Sequence, residues 1–251
     1  MTQSVGQRLI DGAADPSQVL LEGFHAVKHA RRFGAALELV AVSDRDAALA
    51  LCERLAPDMR PLIEQAEAAS SEEIEAGGRE VPTGVVGLAQ RPPHAARELA
   101  SAPGLLVVLE APRNPANVGA AIRASAAAHV GGVATTGEQD PWHPAAVRGS
   151  AGLHFAQPVA HGSIADVCGQ RPAFALDPAG GLLSPADLPA DAALVFGTER
   201  DGLSAQARAR CERLVRLPMR EGVSSLNLAT SVSATLMAIR LANGWEGGEA
   251  P

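Results

Sequence analysis

The feature that most constrains the fold is a series of short apolar runs between residues 105 and 218. Helical segments separate most of them, and apolar strands that alternate with helices are typical of a parallel sheet covered on both faces. An α/β fold is therefore predicted, with ligands expected beyond the carboxyl ends of the strands. The runs are LLVVLE (105–110), GGVATT (131–136), HFAQPVA (154–160), AFALD (173–177), AALVFG (192–197) and RLVRLP (213–218).

The first hundred residues predict a separate, smaller α/β unit. Helices are expected at 22–33 and 46–56, and strands at 36–43 and 83–89. A stretch rich in Pro, Ala and Gly, RPPHAARELASAPG, follows and marks a domain boundary. The predicted organisation is a domain at 1–98, a linker at 99–104, a second domain at 105–245 and a tail at 246–251.

Composition excludes several classes of protein. The net charge of −7 argues against a wholly basic surface, and the absence of tyrosine argues against a base-stacking platform. Three cysteines without a CxxC pair argue against a disulfide framework and against structural zinc, so no metal is expected. His25 and His29 lie four residues apart on one helix face, but a third ligand is missing. No signal peptide or long apolar run is found, which favours a cytoplasmic protein without a membrane span.

The familiar nucleotide and hydrolase motifs are also missing. No GxGxxG follows a strand, and no GK[ST] occurs, because Lys28 is the only lysine. The sequence GSAG (149–152) has Arg148 where a nucleophile elbow has its first glycine. A dinucleotide site, a P-loop and a hydrolase elbow are therefore unsupported.

Three segments combine glycine with polar side chains just after predicted strands. They are NPANVGAAIRAS (114–125), FGTERDGLS (196–204) and LPMREGVSSLN (217–227). Taken singly, each has an ordinary structural explanation: Arg123 could pair with a surface carboxylate, and Ser225 could cap the last helix. Because the carboxyl ends of parallel strands meet at one edge, their joint placement indicates a ligand site.

The motifs NVGAAIR (117–123), LVFGTERDGL (194–203) and LPM with SLNLATSVSATL (217–236) resemble the three ordered motifs of the SpoU/TrmH family. The resemblance extends over 104–243 and includes PAAVRGSAG (144–152) and FALDPAGG (174–181). The first domain, through LLEGFHAVKHA (20–30) and VPTGVVGLA (81–89), more weakly resembles an RNA-recruiting domain similar to kink-turn-binding ribosomal proteins.

The resemblance implies a SPOUT fold with a C-terminal trefoil knot, which is an exception to the rule that chains avoid threading. It also implies a homodimer that uses S-adenosyl-L-methionine to methylate ribose 2′-hydroxyl groups in RNA. The implied catalytic residues are Asn117, Arg123, Glu199, Ser225 and Asn227. The implied cofactor contacts are Leu176, Gly197, Leu217, Met219 and Leu226. The expected RNA contacts are the cations Lys28, Arg31 and Arg32, which cluster on the first predicted helix, together with Arg148.

The role of Arg123 has two interpretations. Relatives are thought to use this arginine as the base, yet a guanidinium stays protonated near neutral pH. Clamping a phosphate and stabilising the emerging alkoxide is a more natural task for it. Six arginines at 200–220 add further candidate phosphate contacts: residues 200, 208, 210, 213, 216 and 220.

The sequence thus predicts an RNA 2′-O-methyltransferase, with ribosomal RNA favoured over transfer RNA because of the fused first domain. Two alternatives stay open. One is a non-catalytic RNA-binding protein on the same scaffold, and the other is an antibiotic-resistance methylase that acts on one ribosomal nucleotide.

Overall fold

A computed structural model describes residues 3–76, 79–198 and 201–244. The chain divides into two compact units. The first contains the chain up to Pro92 together with Ala151–Ala156. The second contains Pro93–Ser150 and the chain from Gln157 onward.

The first unit is a small mixed sheet flanked by helices. The order of its strands is β1-β4-β2-β3, with β4 antiparallel to both β1 and β2, and β3 parallel to β2. The helices and strands expected from the sequence are confirmed, with ends shifted by one or two residues. The elements are α1 (Val5–Ala14), β1 (Gln18–Glu22), α2 (Phe24–Arg32), β2 (Leu37–Val42), α3 (Arg45–Leu55), α4 (Arg60–Gln65), β3 (Glu67–Ala68), α5 (Ser71–Ile74) and β4 (Val85–Gln90).

The segment Ala151–Ala156 packs against α2. His29 Nδ1 lies 2.7 Å from the carbonyl oxygen of Ala151, and a side chain at Gly152 would come within 2.5 Å of the carbonyl oxygen of Ala26. A carbonyl can only accept, so the proton of the His29 ring lies on Nδ1. The first unit is therefore completed by residues that follow it in sequence by about sixty positions.

The second unit contains the parallel sheet that the apolar runs predicted. Its strand order is β10-β8-β9-β5-β6-β7, and each of these neighbours is parallel. The elements are α6 (Ala96–Leu99), β5 (Leu106–Leu109), α7 (Pro115–Ala127), β6 (Gly132–Thr135), α8 (Pro144–Gly149), β7 (Val159–His161), α9 (Ile164–Cys168), β8 (Ala173–Leu182), β9 (Ala193–Phe196), α10 (Ala205–Arg210), β10 (Arg213–Arg216) and α11 (Leu228–Ala242).

Three elements differ from the sequence expectation. The strand expected at 173–177 extends to Leu182 as β8. The apolar run 154–160 forms a strand only from Val159, because Leu153–Ala156 is a short 3₁₀ helix and Pro158 lacks a backbone donor. The last helix begins at Leu228 and is capped by Asn227, not by Ser225, because the side chain of Asn227 accepts hydrogen bonds from Ala229 N and Thr230 N.

The predicted linker 99–104 lies within the second unit. Leu99 is 1% exposed in a core that includes Leu106 and Val167. The buried guanidinium of Arg171 donates to the carbonyl oxygens of Ala100, Ala102 and Gly104, at 3.0 Å and 2.8 Å for the first and the last. Burial lowers the pKa of Arg171. This segment is thus held by a core and by a buried arginine.

No helix among residues 3–76, 79–198 and 201–244 combines the length and the apolar character needed to cross a bilayer. The trefoil knot stays a prediction.

Candidate functional site

A cleft of about 350 Å³ opens beyond the carboxyl ends of β9 and β10 and beside the middle of β8, where Leu176, Asp177 and Pro178 line it. This is the edge of the sheet where ligands bind in open α/β folds. Its lining includes all the residues named as cofactor contacts from the resemblance, together with Ser225. Those contacts are Leu176, Gly197, Leu217, Met219 and Leu226.

One wall of the cleft is the tight loop that follows β9. Thr198 N donates to the Gly202 carbonyl at 2.9 Å, and Asp201 N donates to Thr198 Oγ1 at 2.9 Å. A side chain on Gly197 would come within 2.3 Å of the Gly202 backbone, so only glycine allows the loop to close this tightly. Glu199, a predicted catalytic residue in this loop, lies outside the described residues.

Two of the predicted catalytic residues are joined directly. Asn227 Nδ2 donates to Asn117 Oδ1 at 3.1 Å. The oxygen of Asn227 accepts from Ala229 N and Thr230 N at 2.9 and 3.3 Å, which fixes the orientation of its amide. The first and third motif segments, more than a hundred residues apart in sequence, therefore meet at the start of α11.

Arg123 lies six residues beyond Asn117 on α7, roughly 9 Å along the helix axis. Its side chain is exposed. Within the described part of the chain, its guanidinium makes no ion pair, so the alternative explanation, pairing with a surface carboxylate, is not seen there. The charge of Arg123 is thus available to an external anion.

Gly119, between these two residues, allows α7 and α8 to pack closely. A side chain at this position would lie 2.1 Å from the Ala146 carbonyl oxygen and 2.9 Å from Gly149 Cα. Arg148, a predicted RNA contact, is half-buried on α8. The glycine of the first motif therefore serves helix packing beneath the polar residues on either side of it.

Sequence reasoning missed the two carboxylates that line the cleft. Asp177 Oδ2 lies 2.5 Å from Arg208 Nη2, and its other oxygen accepts from Ala179 N at 2.8 Å. Asp201 pairs with Arg113 across 2.6 Å. Asp177 lies within the FALDPAGG match, but its pairing with Arg208 joins two separate elements, β8 and α10, which a sequence pattern does not place together.

The arginine cluster at 200–220 is divided by the structure. Arg208 pairs with Asp177, and Arg210 donates to the Gly169 carbonyl, so both have intramolecular roles. The remaining described members, Arg213, Arg216 and Arg220, make no side-chain hydrogen bond or ion pair with residues 3–76, 79–198 or 201–244. Arg200 lies outside the described residues.

The predicted cationic face of α2 differs from the expectation. Lys28 is only 9% exposed. Arg32 makes two hydrogen bonds to Asp58, at 2.8 and 2.6 Å, which raise the pKa of Arg32 and lower that of Asp58. Arg31 is exposed. The three residues therefore do not present three solvent-facing charges. The side of α2 that carries Lys28 packs against the sheet, and Asp58 neutralises the charge of Arg32.

The paired histidines on α2 stack with ring centroids 6.3 Å apart. His29 uses Nδ1 for its bond to Ala151, and burial is the main cause that lowers its pKa. Among the described residues no group of three or more potential metal ligands is found.

Comparison with known proteins gives consistent matches. The model of the SpoU rRNA Methylase family matches residues 104–237. A 23S rRNA (guanosine-2′-O-)-methyltransferase RlmB from Xylella fastidiosa is 35% identical over 158 residues, covering 57% of this chain and 62% of that protein. The RlmB of Xanthomonas axonopodis pv. citri is 31% identical over 147 residues, covering 55% and 59%. The chain thus spans about three fifths of the length of these curated relatives.

Solved structures resemble nearly the whole chain. The SpoU methyltransferase AviRb of Streptomyces viridochromogenes, in complex with AdoMet, has a TM-score of 0.74 at 22% identity and covers 96% of this chain and 99% of its own. An AdoMet-bound rRNA methyltransferase of Sinorhizobium meliloti has a TM-score of 0.73 at 22% identity and covers 96% and 97%. These likenesses confirm the predicted α/β fold. With the family match over 104–237, they lead to one conclusion: the chain belongs to the SpoU rRNA methylase family.

Proposed function

We propose that this protein is an S-adenosylmethionine-dependent methyltransferase that modifies a ribose 2′-hydroxyl group of ribosomal RNA. The observation that carries the proposal is the hydrogen bond between Asn227 and Asn117. It joins the first and third motifs beside the cleft that the second and third motifs line. Family membership supports the activity, and the names of the RlmB relatives support ribosomal RNA over transfer RNA.

The cleft fits the proposed cofactor in size and chemistry. Its volume of about 350 Å³ is within the roughly 300–1,000 Å³ of small-molecule sites. Leu176, Leu217 and Leu226 provide apolar surface for an adenine ring, and the Gly197 backbone allows close approach. When bound, S-adenosylmethionine supplies a methyl group on a positively charged sulfur.

The residues of the chain have separable tasks in this proposal. Asn227 and Asn117 hold the start of α11 against α7, which fixes the distance between the cleft and Arg123. Arg123 binds the phosphate next to the target ribose and stabilises negative charge on the 2′-oxygen as its proton leaves. Ser225, at the rim of the cleft, is placed to orient the hydroxyl group. Orientation matters because a ribose hydroxyl is a weak nucleophile at neutral pH.

A homodimer and a cytoplasmic location complete the proposal. The last helix exposes Leu241 by 77%, and the preceding loop exposes Leu226 by 39%. Large exposed apolar side chains favour association with another surface. A second copy of the chain is the partner we propose, and light scattering that shows a monomer at micromolar concentration would contradict it. The cytoplasm follows from ribosomal RNA as the substrate.

The decisive experiment is a map of ribose 2′-O-methylation in ribosomal and transfer RNA from cells with and without the gene. One ribosomal nucleotide is expected to lose its methyl group in the deletion and regain it when the gene is restored. Restoration by an Arg123→Ala variant would contradict the proposed site. An unchanged map would favour the non-catalytic alternative. Altered drug sensitivity together with loss of the methyl group from one ribosomal nucleotide would favour a resistance methylase.

A further inference from the structure

Arg216 is the last residue of β10, and its side chain forms part of the cleft lining. It is half-buried, so water does not fully surround it. Its guanidinium makes no hydrogen bond or ion pair with the residues that the structure describes, 3–76, 79–198 and 201–244. A partly desolvated arginine without a partner favours binding of an anion.

The other described charges of the cleft are already paired. Asp177 is buried and bound to Arg208, and Asp201 is bound to Arg113. Neither of these arginines is a lining residue, and each is paired with a carboxylate of the lining. Among the described lining residues, Arg216 is therefore the charged side chain that has no partner.

We propose that Arg216 binds the carboxylate of the methionine part of the cofactor, an inference that rests on the proposed function. The carboxylate is the one negatively charged group of S-adenosylmethionine. The planar guanidinium can bind both carboxylate oxygens at once, which fixes orientation as well as adding affinity. Arg216 ends β10, and the residues just after it, Leu217 and Met219, also line the cleft. In this proposal, one segment contacts both the apolar part and the charged part of the ligand.

The test is calorimetry on the full-length chain with two ligands: S-adenosylhomocysteine, and its carboxamide, in which a neutral amide replaces the carboxylate. The unmodified protein is expected to bind S-adenosylhomocysteine about ten- to a hundredfold more tightly. Arg216→Met should remove this preference, because it should weaken the binding of S-adenosylhomocysteine and leave the affinity for the carboxamide within about twofold of that of the unmodified protein. Arg216→Lys should keep part of the preference, since it keeps the charge without the planar fork.

Arg213→Met is the matched control, because Arg213 is an exposed arginine on the same strand outside the cleft lining. It should leave both affinities unchanged. Equal losses for both ligands in Arg216→Met would overturn the inference and indicate that Arg216 shapes the cleft. Unchanged affinities with weakened RNA binding would also overturn it and assign Arg216 to a phosphate. Binding of neither ligand by the unmodified protein would refute the proposed function itself.

Discussion

Replacing Gly119 with alanine tests whether close packing of α7 on α8 supports the site. Alanine at an interior helix position normally stabilises a helix by about 1 kcal/mol relative to glycine. Here the added methyl carbon would lie 2.1 Å from the Ala146 carbonyl oxygen. Ordinary contacts are roughly 3.5 Å, so the helices would have to separate by more than about 1 Å. The contact is with backbone, and no side-chain rotation relieves it.

The expected net effect is a loss of about 1–3 kcal/mol, since overpacking of this kind outweighs the gain in helix propensity. For a chain of this length, that corresponds to a fall in melting temperature of about 2–12 °C. Methyl transfer is expected to fall further than stability, because α7 carries both Asn117 and Arg123. Thermal melting and single-turnover methylation at a temperature where the variant is folded would measure the two effects.

Gly181→Ala is the control for this substitution. No atom lies within 4 Å of a methyl group placed there, and its backbone does not need glycine. Its melting temperature should stay within about 2 °C of the unmodified protein. A Gly119→Ala variant that melts at the same or a higher temperature would refute the reasoning, because helix propensity would then dominate over the contact with α8.

Four further predictions follow from the same contacts. Arg123→Ala is expected to lower methyl transfer at least about a hundredfold without changing S-adenosylhomocysteine affinity, and Arg123→Lys should recover little; full activity in the alanine variant would remove Arg123 from the site. Asn227→Ala should cost about 1 kcal/mol through the lost helix cap, whereas Asn227→Asp should keep the cap and lose activity with the donor to Asn117; equal melting temperatures of the two variants would contradict this. A fragment that begins at Pro93 should fold and bind cofactor yet lose most methylation of authentic RNA. A fragment that begins at Ser101 should be less stable, because it lacks the buried Leu99. Full methylation by the Pro93 fragment would show that the first unit does not select the RNA. Because burial lowers the pKa of His29, its neutral form stabilises the fold above about pH 6.5, and this contribution is lost as the pH falls toward the lowered pKa. Between about pH 7 and pH 5, denaturant titrations should therefore show a smaller loss of stability for His29→Asn than for the unmodified protein. An identical loss in the two proteins would exclude His29 as a cause.

The sheet could be predicted from the sequence because each of its strands is a short apolar run of its own. The residues around the cleft could be named because three motifs resemble those of the SpoU/TrmH family in the same order. Their placement beyond strand ends follows from parallel topology. The hydrogen bond between Asn117 and Asn227 could not be derived, since it joins residues 110 apart in sequence. It depends on how α7 and α11 meet.

The failures have the same physical origin. Lys28 looked like part of a basic helix face, but the side of α2 that packs inward is set by the sheet beneath it. Arg208, on α10, looked like a phosphate contact, but it pairs with Asp177 of β8. Residues 99–104 looked like a linker, yet the buried Leu99 and the carbonyl groups bound by Arg171 tie this segment to the second unit. Composition describes local preference, whereas each of these outcomes depends on a contact between distant segments.

The placement of Ala151–Ala156 in the first unit affects the order in which the protein can fold during synthesis. When Pro92 leaves the ribosome, the residues that cover α2 have not yet been made. At about 5–20 residues per second, the 64 residues from Pro92 to Ala156 need about 3–13 s. In that interval, the nascent first unit exposes the surface of Ala26 and the ring of His29 that the later segment covers. The first unit therefore reaches its final form only after β5, β6, α7 and α8 have been made.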